Sequence, residues 1–220
     1  MALKDRGTET RAERSRADIL TAAAERFKES GFAGTSIDDV ARSLGATKGM
    51  VYHHFPSKTD LFFAVYQRAM DINFEAVSAA ARHNKGPVEH LAAMAHAHAV
   101  TMMRAQAFQR TISQGVVMHQ TGATTLAQRE TLEELIKVRD RYETLFSSAI
   151  AAATAAGDVL LDDLSVATKT FLAVLNSTVH WYSPRAADAA VEQDELARQQ
   201  VAFAMRGLGL TSPNESKDRP

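Results

Sequence analysis

The chain of 220 residues has no cysteine, one tryptophan and five prolines, and no uninterrupted apolar run approaches the roughly 18 residues that a membrane-spanning helix needs. Without cysteine there is no disulfide framework, no thiolate nucleophile and no Cys-ligated zinc, which suits a reducing compartment. The opening segment MALKDRGTETRAERSR is charged where a secretion signal needs an apolar core. These absences predict a cytoplasmic protein with no membrane partner. β-Branched alternation is also missing, so no strand is expected. So are a Gly-rich phosphate loop after a strand, a nucleophile elbow and an HExxH helix, and with them the usual marks of an enzyme. No catalytic residue, metal or cofactor is expected.

Charge is nearly balanced, with 25 Lys/Arg against 26 Asp/Glu, which argues against a protein that coats nucleic acid indiscriminately. The distribution is more telling. Residues 40–59 carry Arg42, Lys48, Lys58, His53 and His54 and no acidic residue, a local cationic surface.

Helical periodicity begins at 16–30, where Ile19, Ala23 and Phe27 share a face. Gly31 is placed to stop this helix in the left-handed conformation, with Phe32 packing back on it. Ser36 caps a second, short helix, with Asp38 and Asp39 in its first turn and Ile37, Val40, Ala41 and Leu44 as its buried stripe. Gly45 breaks it, and Thr47 caps a third helix that runs from Lys48 to His54 and ends at Phe55-Pro56. Two short helices joined by a tight, Gly-initiated turn form a helix-turn-helix. The third helix suits the major groove. Gly49 lets its backbone approach phosphate, Lys48 reaches phosphate or a guanine edge, Thr47 and Tyr52 donate to phosphate, and His53 or His54 meets a base or phosphate, while Val51 and Phe55 face inward. A solvated helical hairpin without DNA fits the same spacing.

Ser57 and Asp60 open a fourth helix whose apolar pattern runs from Leu61 to about Ala81, and further helices are expected over 88–105, 107–119, 123–156, 163–182 and 190–208. The fold class is all-α. From Pro87 onward, Leu91, Met94, Ala95, His98 and Met102 form one stripe and His96 lies opposite. His98 therefore points inward, either as a neutral core histidine or as part of a pocket. His90, His96 and His98 do not form a convincing metal set. The 163–182 segment is apolar nearly all round, as a helix packed on its own chain and on a dimer mate would be, and Ala202, Ala204 and Gly207 let the last helix approach it closely. Asn176 and His180 share a face and need partners, which are each other and backbone, or a ligand.

The run from Thr35 to Leu61, with Gly45, Gly49, Tyr52, Phe55, Lys58 and Leu61 at the characteristic spacing, resembles the DNA-binding signature of the tetracycline-repressor (TetR) family, and the likeness extends upstream to Ile19. Ala46 stands where that family often has valine. The resemblance implies a homodimer whose three-helix N-terminal heads read a palindromic double-stranded DNA operator, with C-terminal bodies that dimerise and bind a small effector. It divides the chain into an arm and helix-turn-helix domain at 1–56, a ligand-binding and dimerisation domain at 57–210, and a polar tail at 211–220 expected to be disordered. It makes Thr35, Arg42, Thr47, Lys48, Gly49, Tyr52, His53 and Lys58 DNA contacts, with Arg11, Arg14 and Arg16 as a basic arm before the first helix. The stretch Leu175–Pro184 is also similar to an asparagine, tryptophan-tyrosine and proline pattern in TetR regulators that sense acyl-CoA thioesters of lipid, steroid or aromatic catabolism. That likeness implies an acyl-CoA effector near Met94, His98, Met102, Phe108, Asn176 and His180, with Met103 as a further apolar wall and Arg104, Arg110 or Arg141 on its phosphates. The alternative is an architectural DNA-binding protein without effector, and a sizeable cavity in the body separates the two.

Overall fold

The computed structural model describes residues 11–83, 86–121, 125–157, 159–184 and 189–210, and among these no strand occurs. The head is built from α1 (Arg11–Gly34), α2 (Ile37–Ser43) and α3 (Lys48–His54). The body follows as α4 (Lys58–Ala80), a 3-10 turn (Ala81–His83), α5 (Pro87–Arg104), α6 (Gln106–Thr121), α7 (Leu126–Ala156), α8 (Leu164–Asn176), α9 (Thr178–Trp181) and α10 (Ala189–Gly207). Residues 1–10 and the expected tail, 211–220, lie outside the described residues.

Local chemistry sets the head's boundaries. Gly31 leaves the helical region at φ 70° and breaks α1 near its end, and Gly45 makes the turn between α2 and α3 at φ 62°. Ser36 and Asp39 cap α2 reciprocally, Thr47 caps α3 by accepting from the Met50 amide, and Ser57 caps α4 by accepting from that of Asp60.

Two expectations are corrected. Helix α1 begins at Arg11, so Arg11, Arg14 and Arg16 belong to its first turns and not to an extended arm. The segment RAERSRA is rich in good helix formers and contains neither Gly nor Pro. The single helix expected over 163–182 is interrupted at Ser177, whose N–H donates only three residues back to Val174 at 3.3 Å. The Ser177 hydroxyl donates to the same carbonyl at 2.8 Å, which competes with the helical ladder.

One contiguous core runs through head and body. Phe62 of α4 packs edge-on against Phe27 and Phe32 of α1, with ring centroids 5.3 and 5.1 Å apart, so α4 is anchored in the head at one end and in the body at the other. Helix α5 is central to the body, packed against α4, α7, α8 and α10. Helices α6 and α1 pack along one another, giving the body a second hold on the head.

Candidate nucleic-acid interface and internal cavity

The outer face of α3 presents Lys48, Gly49, Met50, Tyr52 and His53 to solvent, while Val51 and Phe55 are buried. Thr47 is exposed at the N-cap. Lys48 Nζ lies 2.7 Å from Asp38 Oδ2 and 5.8 Å from the Tyr52 ring centroid, and the carboxylate holds the ammonium above the ordinary lysine range. Both partners of that ion pair are half exposed, so phosphate can take the place of Asp38 at little cost. Arg42 is exposed beside Asp39 at 3.0 Å. Two features that sequence reasoning missed lie here: Met50, an exposed apolar group on the outer face of α3 suited to a thymine methyl, and the packing of Arg16, expected in an arm, whose guanidinium lies 5.2 Å from the Phe55 ring centroid.

Two expected contacts have other work within the fold. Thr35 is 3% exposed and its hydroxyl is directed at the carbonyls of Gly31, at 2.8 Å, and Arg26, at 3.1 Å, so its side chain is turned into the protein and closes the broken end of α1. Lys58 Nζ donates to the carbonyls of Phe32 and Thr35, both at 2.8 Å, and lies over the Phe32 ring. The interruption at Gly31 leaves carbonyls there that a cation caps well. Lys58 is thus first a bolt between α4 and α1, with one N–H remaining for an outside acceptor.

The body holds a cavity of about 280 Å³ walled by α4 to α9. Met70, Met102, Ile112, Leu172 and Val179 supply its apolar wall. At its buried side stands a polar chain: His98 Nδ1 lies 2.8 Å from Tyr142 Oη, and Nε2 lies 2.9 Å from Asn176 Oδ1. Burial keeps His98 neutral, lowering its pKa to about 4 against a smaller opposing effect of the Asn176 bond, and pushes the Tyr142 phenol up. Asn73 and Gln109, both buried, bind each other reciprocally at 3.1 and 2.9 Å. Arg139, Glu143 and Lys169 line the cavity too, and it opens past the exposed Ala173, Asn176 and His180.

Of the residues expected at a ligand, His98, Met102, Asn176 and His180 line this cavity. Met94 and Phe108 do not, because Met94 faces the core from an earlier turn of α5 and Phe108 packs against it from α6; Met103 is buried away from the cavity as well. Asn176 bonds His98 and not His180, the break at Ser177 having turned His180 toward the rim. Arg104 donates to Gln193 and Arg110 to the carbonyls of Val179 and His180, and neither reaches the cavity. Arg141 is exposed on α7 outside it. The cavity's cations are Arg139 and Lys169.

A helix-turn-helix head joined by a shared helix to an all-α body with its own cavity defines a class, the helix-turn-helix transcriptional regulators. The chain matches the model of bacterial regulatory proteins of the tetR family over residues 19–65 and that of the tetracyclin repressor-like C-terminal domain over residues 84–208. It belongs to the tetracycline-repressor family. Among curated proteins it is 24% identical over 194 residues to the HTH-type transcriptional repressor KstR2 of Rhodococcus jostii, covering 88% of this chain and 90% of that one. Among solved structures, the regulator PfmR of Thermus thermophilus is 28% identical with a TM-score of 0.70, covering 86% and 98% of the two chains. AibR, solved in complex with isovaleryl coenzyme A and operator DNA, shares the fold at 23% identity and a TM-score of 0.67, covering 86% and 97%. No helix among the described residues is long and apolar enough to cross a membrane.

Proposed function

We propose that this protein is a cytoplasmic repressor that binds a palindromic operator as a homodimer and is released by an acyl-CoA thioester. The carrying observation is the cavity: an apolar wall rich in methionine, a buried polar chain of Tyr142, His98 and Asn176, and cations at Arg139 and Lys169. At about 280 Å³ it takes an acyl group of modest size and not a whole nucleotide, so the coenzyme would lie outward, where Arg139 and Lys169 favour its phosphates. Methionines adapt to varied acyl shapes. The complex of AibR with isovaleryl coenzyme A supports the same reading by analogy of fold. An architectural protein without effector would have no use for such a cavity.

On the DNA side, Thr47, Lys48, Gly49, Tyr52 and His53 of the α3 face read one half-site, flanked by Arg42 and the remaining donor of Lys58. Two heads reach successive major grooves roughly 34–36 Å apart. The second copy docks on the groove between α8 and α10, where Val166 is 60% and Phe203 62% exposed. An effector that binds the non-reading state better by about 3 kcal/mol weakens operator binding by over a hundredfold. Helix α4 is the first lever, since Phe62 sits in the head and Met70 in the cavity wall.

The test is a thermal-shift titration of the full chain with isovaleryl-CoA, longer acyl-CoA thioesters, the matching free acids and CoA alone, followed by operator release in fluorescence anisotropy. The expected result is stabilisation by a thioester with loss of operator binding. Stabilisation without release overturns the induction mechanism, and a response to CoA-free acids alone overturns the thioester.

A further inference from the structure

The body holds both backbone polar atoms of Phe32. Its N–H donates to Gln114 Oε1 at 3.0 Å, and its carbonyl accepts from Lys58 Nζ at 2.8 Å. Gln114 completes the joint by donating Nε2 to the Phe27 carbonyl at 3.1 Å. The need arises in the sequence of α1: with Gly31 at φ 70° and ψ 172°, the Phe32 amide loses the helical acceptor it would find four residues back. A side chain 82 residues away supplies it.

Gln114 belongs to α6 and Lys58 to α4, and these two helices also wall the cavity, through Met70 and Asn73 on α4 and Gln109, Ile112 and Ser113 on α6. Inside the cavity they are tied together by the reciprocal Asn73–Gln109 amide pair. A group entering the cavity and pressing α6 outward therefore displaces Gln114, five residues beyond Gln109 on the same helix. The end of α1 must then follow α6 or leave the Phe32 N–H without its acceptor.

We infer that Gln114 is the positioning residue that couples the cavity to the reading head, holding the end of α1 to α6 so that cavity occupancy becomes head orientation. This builds on the reading of the cavity as the effector site. It does not require the effector to be known, because a side chain can fill the cavity. Met102 borders the void, so Met102→Trp places an indole in it.

The experiment is a double-mutant cycle on operator affinity, using the full chain and the duplex it selects, with Met102→Trp crossed against Gln114→Leu and, as a second variant, Gln114→Glu. Thermal melts confirm that each variant folds, and hydrogen exchange follows the Phe32 amide. Met102→Trp should weaken operator binding about tenfold or more in the parent and less than about threefold when Gln114 is replaced, with faster exchange at Phe32 in the Gln114 variants. Equal weakening in both backgrounds overturns the coupling role of Gln114 and leaves the cavity reading intact. No weakening by a folded Met102→Trp in the parent overturns the cavity reading and the coupling with it. Unchanged Phe32 exchange in Gln114→Leu refutes the joint itself.

Discussion

Asn176 Oδ1 lies 2.9 Å from His98 Nε2, and since a carbonyl oxygen can only accept, the imidazole carries its proton on Nε2. Nδ1 is then an acceptor for the Tyr142 hydroxyl at 2.8 Å. A neutral ring thus satisfies both partners, and a second proton would meet a phenol that burial has made harder to ionise. The Asn176 amide nitrogen is left to donate at the cavity mouth, where a thioester carbonyl could accept.

That tautomer has a pH signature. In the folded protein His98 stays neutral down to about pH 4, whereas unfolded it takes a proton near its ordinary 6.5. The stability it contributes is whole above about pH 6.5 and declines as pH falls toward 4, by up to roughly 3 kcal/mol. Denaturation midpoints followed from neutral to about pH 4.5 should fall more steeply for the parent than for His98→Gln. Parallel curves would show that burial does not shift His98 in the fold, so that it takes its proton there as readily as in the unfolded chain.

Gly49 has no structural reason to be glycine. A Cβ there meets nothing nearer than Thr47 Oγ1 at 3.9 Å, and the residue lies within α3. Glycine inside a helix costs roughly 1 kcal/mol relative to alanine. Gly49→Ala should therefore stabilise the free protein by up to about that amount and weaken operator binding, because the methyl stands between the helix backbone and the phosphate it approaches. Stabilisation with unchanged operator affinity would remove Gly49 from the interface.

Much of the head was legible in the sequence because its boundaries are local: Ser36, Gly45, Thr47 and Ser57 each act within four residues of themselves. That Thr35 and Lys58 also hold the fold together was not legible, because spacing cannot reveal that α1 breaks into positive φ at Gly31 and leaves carbonyls for them to cap. The cavity was legible along α5, where His98 and Met102 fall on the inward stripe, and at Asn176 and His180, polar groups one turn apart in an apolar segment. Asn73, Gln109, Tyr142 and Lys169 come from four helices, and only packing brings them together. Gln114 left no signal, its partners being backbone atoms of a distant helix.

Gly115 is required by close approach of α6 to α4. An alanine Cβ would lie 2.7 Å from Cδ2 and Cε2 of the Tyr66 ring, which is fully buried. Gly115→Ala should cost about 1–3 kcal/mol in chemical denaturation, and Tyr66→Leu in the same chain should restore part of it. The Tyr66 hydroxyl is buried without a hydrogen-bond partner among the described residues, and burial pushes its pKa up to about 12. Tyr66→Phe should accordingly be neutral or stabilising, and a loss above about 1 kcal/mol would mean that the hydroxyl has a partner in solution.

If the second copy docks on the groove between α8 and α10, as proposed, the groove's residues divide into those that only association buries and those already buried within the protomer. Phe203 is 62% exposed at the groove, whereas Phe171, which also lines it, is 2% exposed. Aspartate at Phe203 stays in water in the monomer but would be buried without a partner in the dimer, a cost of several kcal/mol paid on association. Aspartate at Phe171 is buried in either state, so it should unfold the body. Sedimentation velocity should accordingly find Phe203→Asp as a folded monomer and Phe171→Asp as aggregated or unfolded chain. Operator affinity should fall with the Phe203 variant although its head is unaltered, because one half-site contact cannot replace two joined ones. A Phe203→Asp dimer as stable as the parent would move the interface away from α8 and α10.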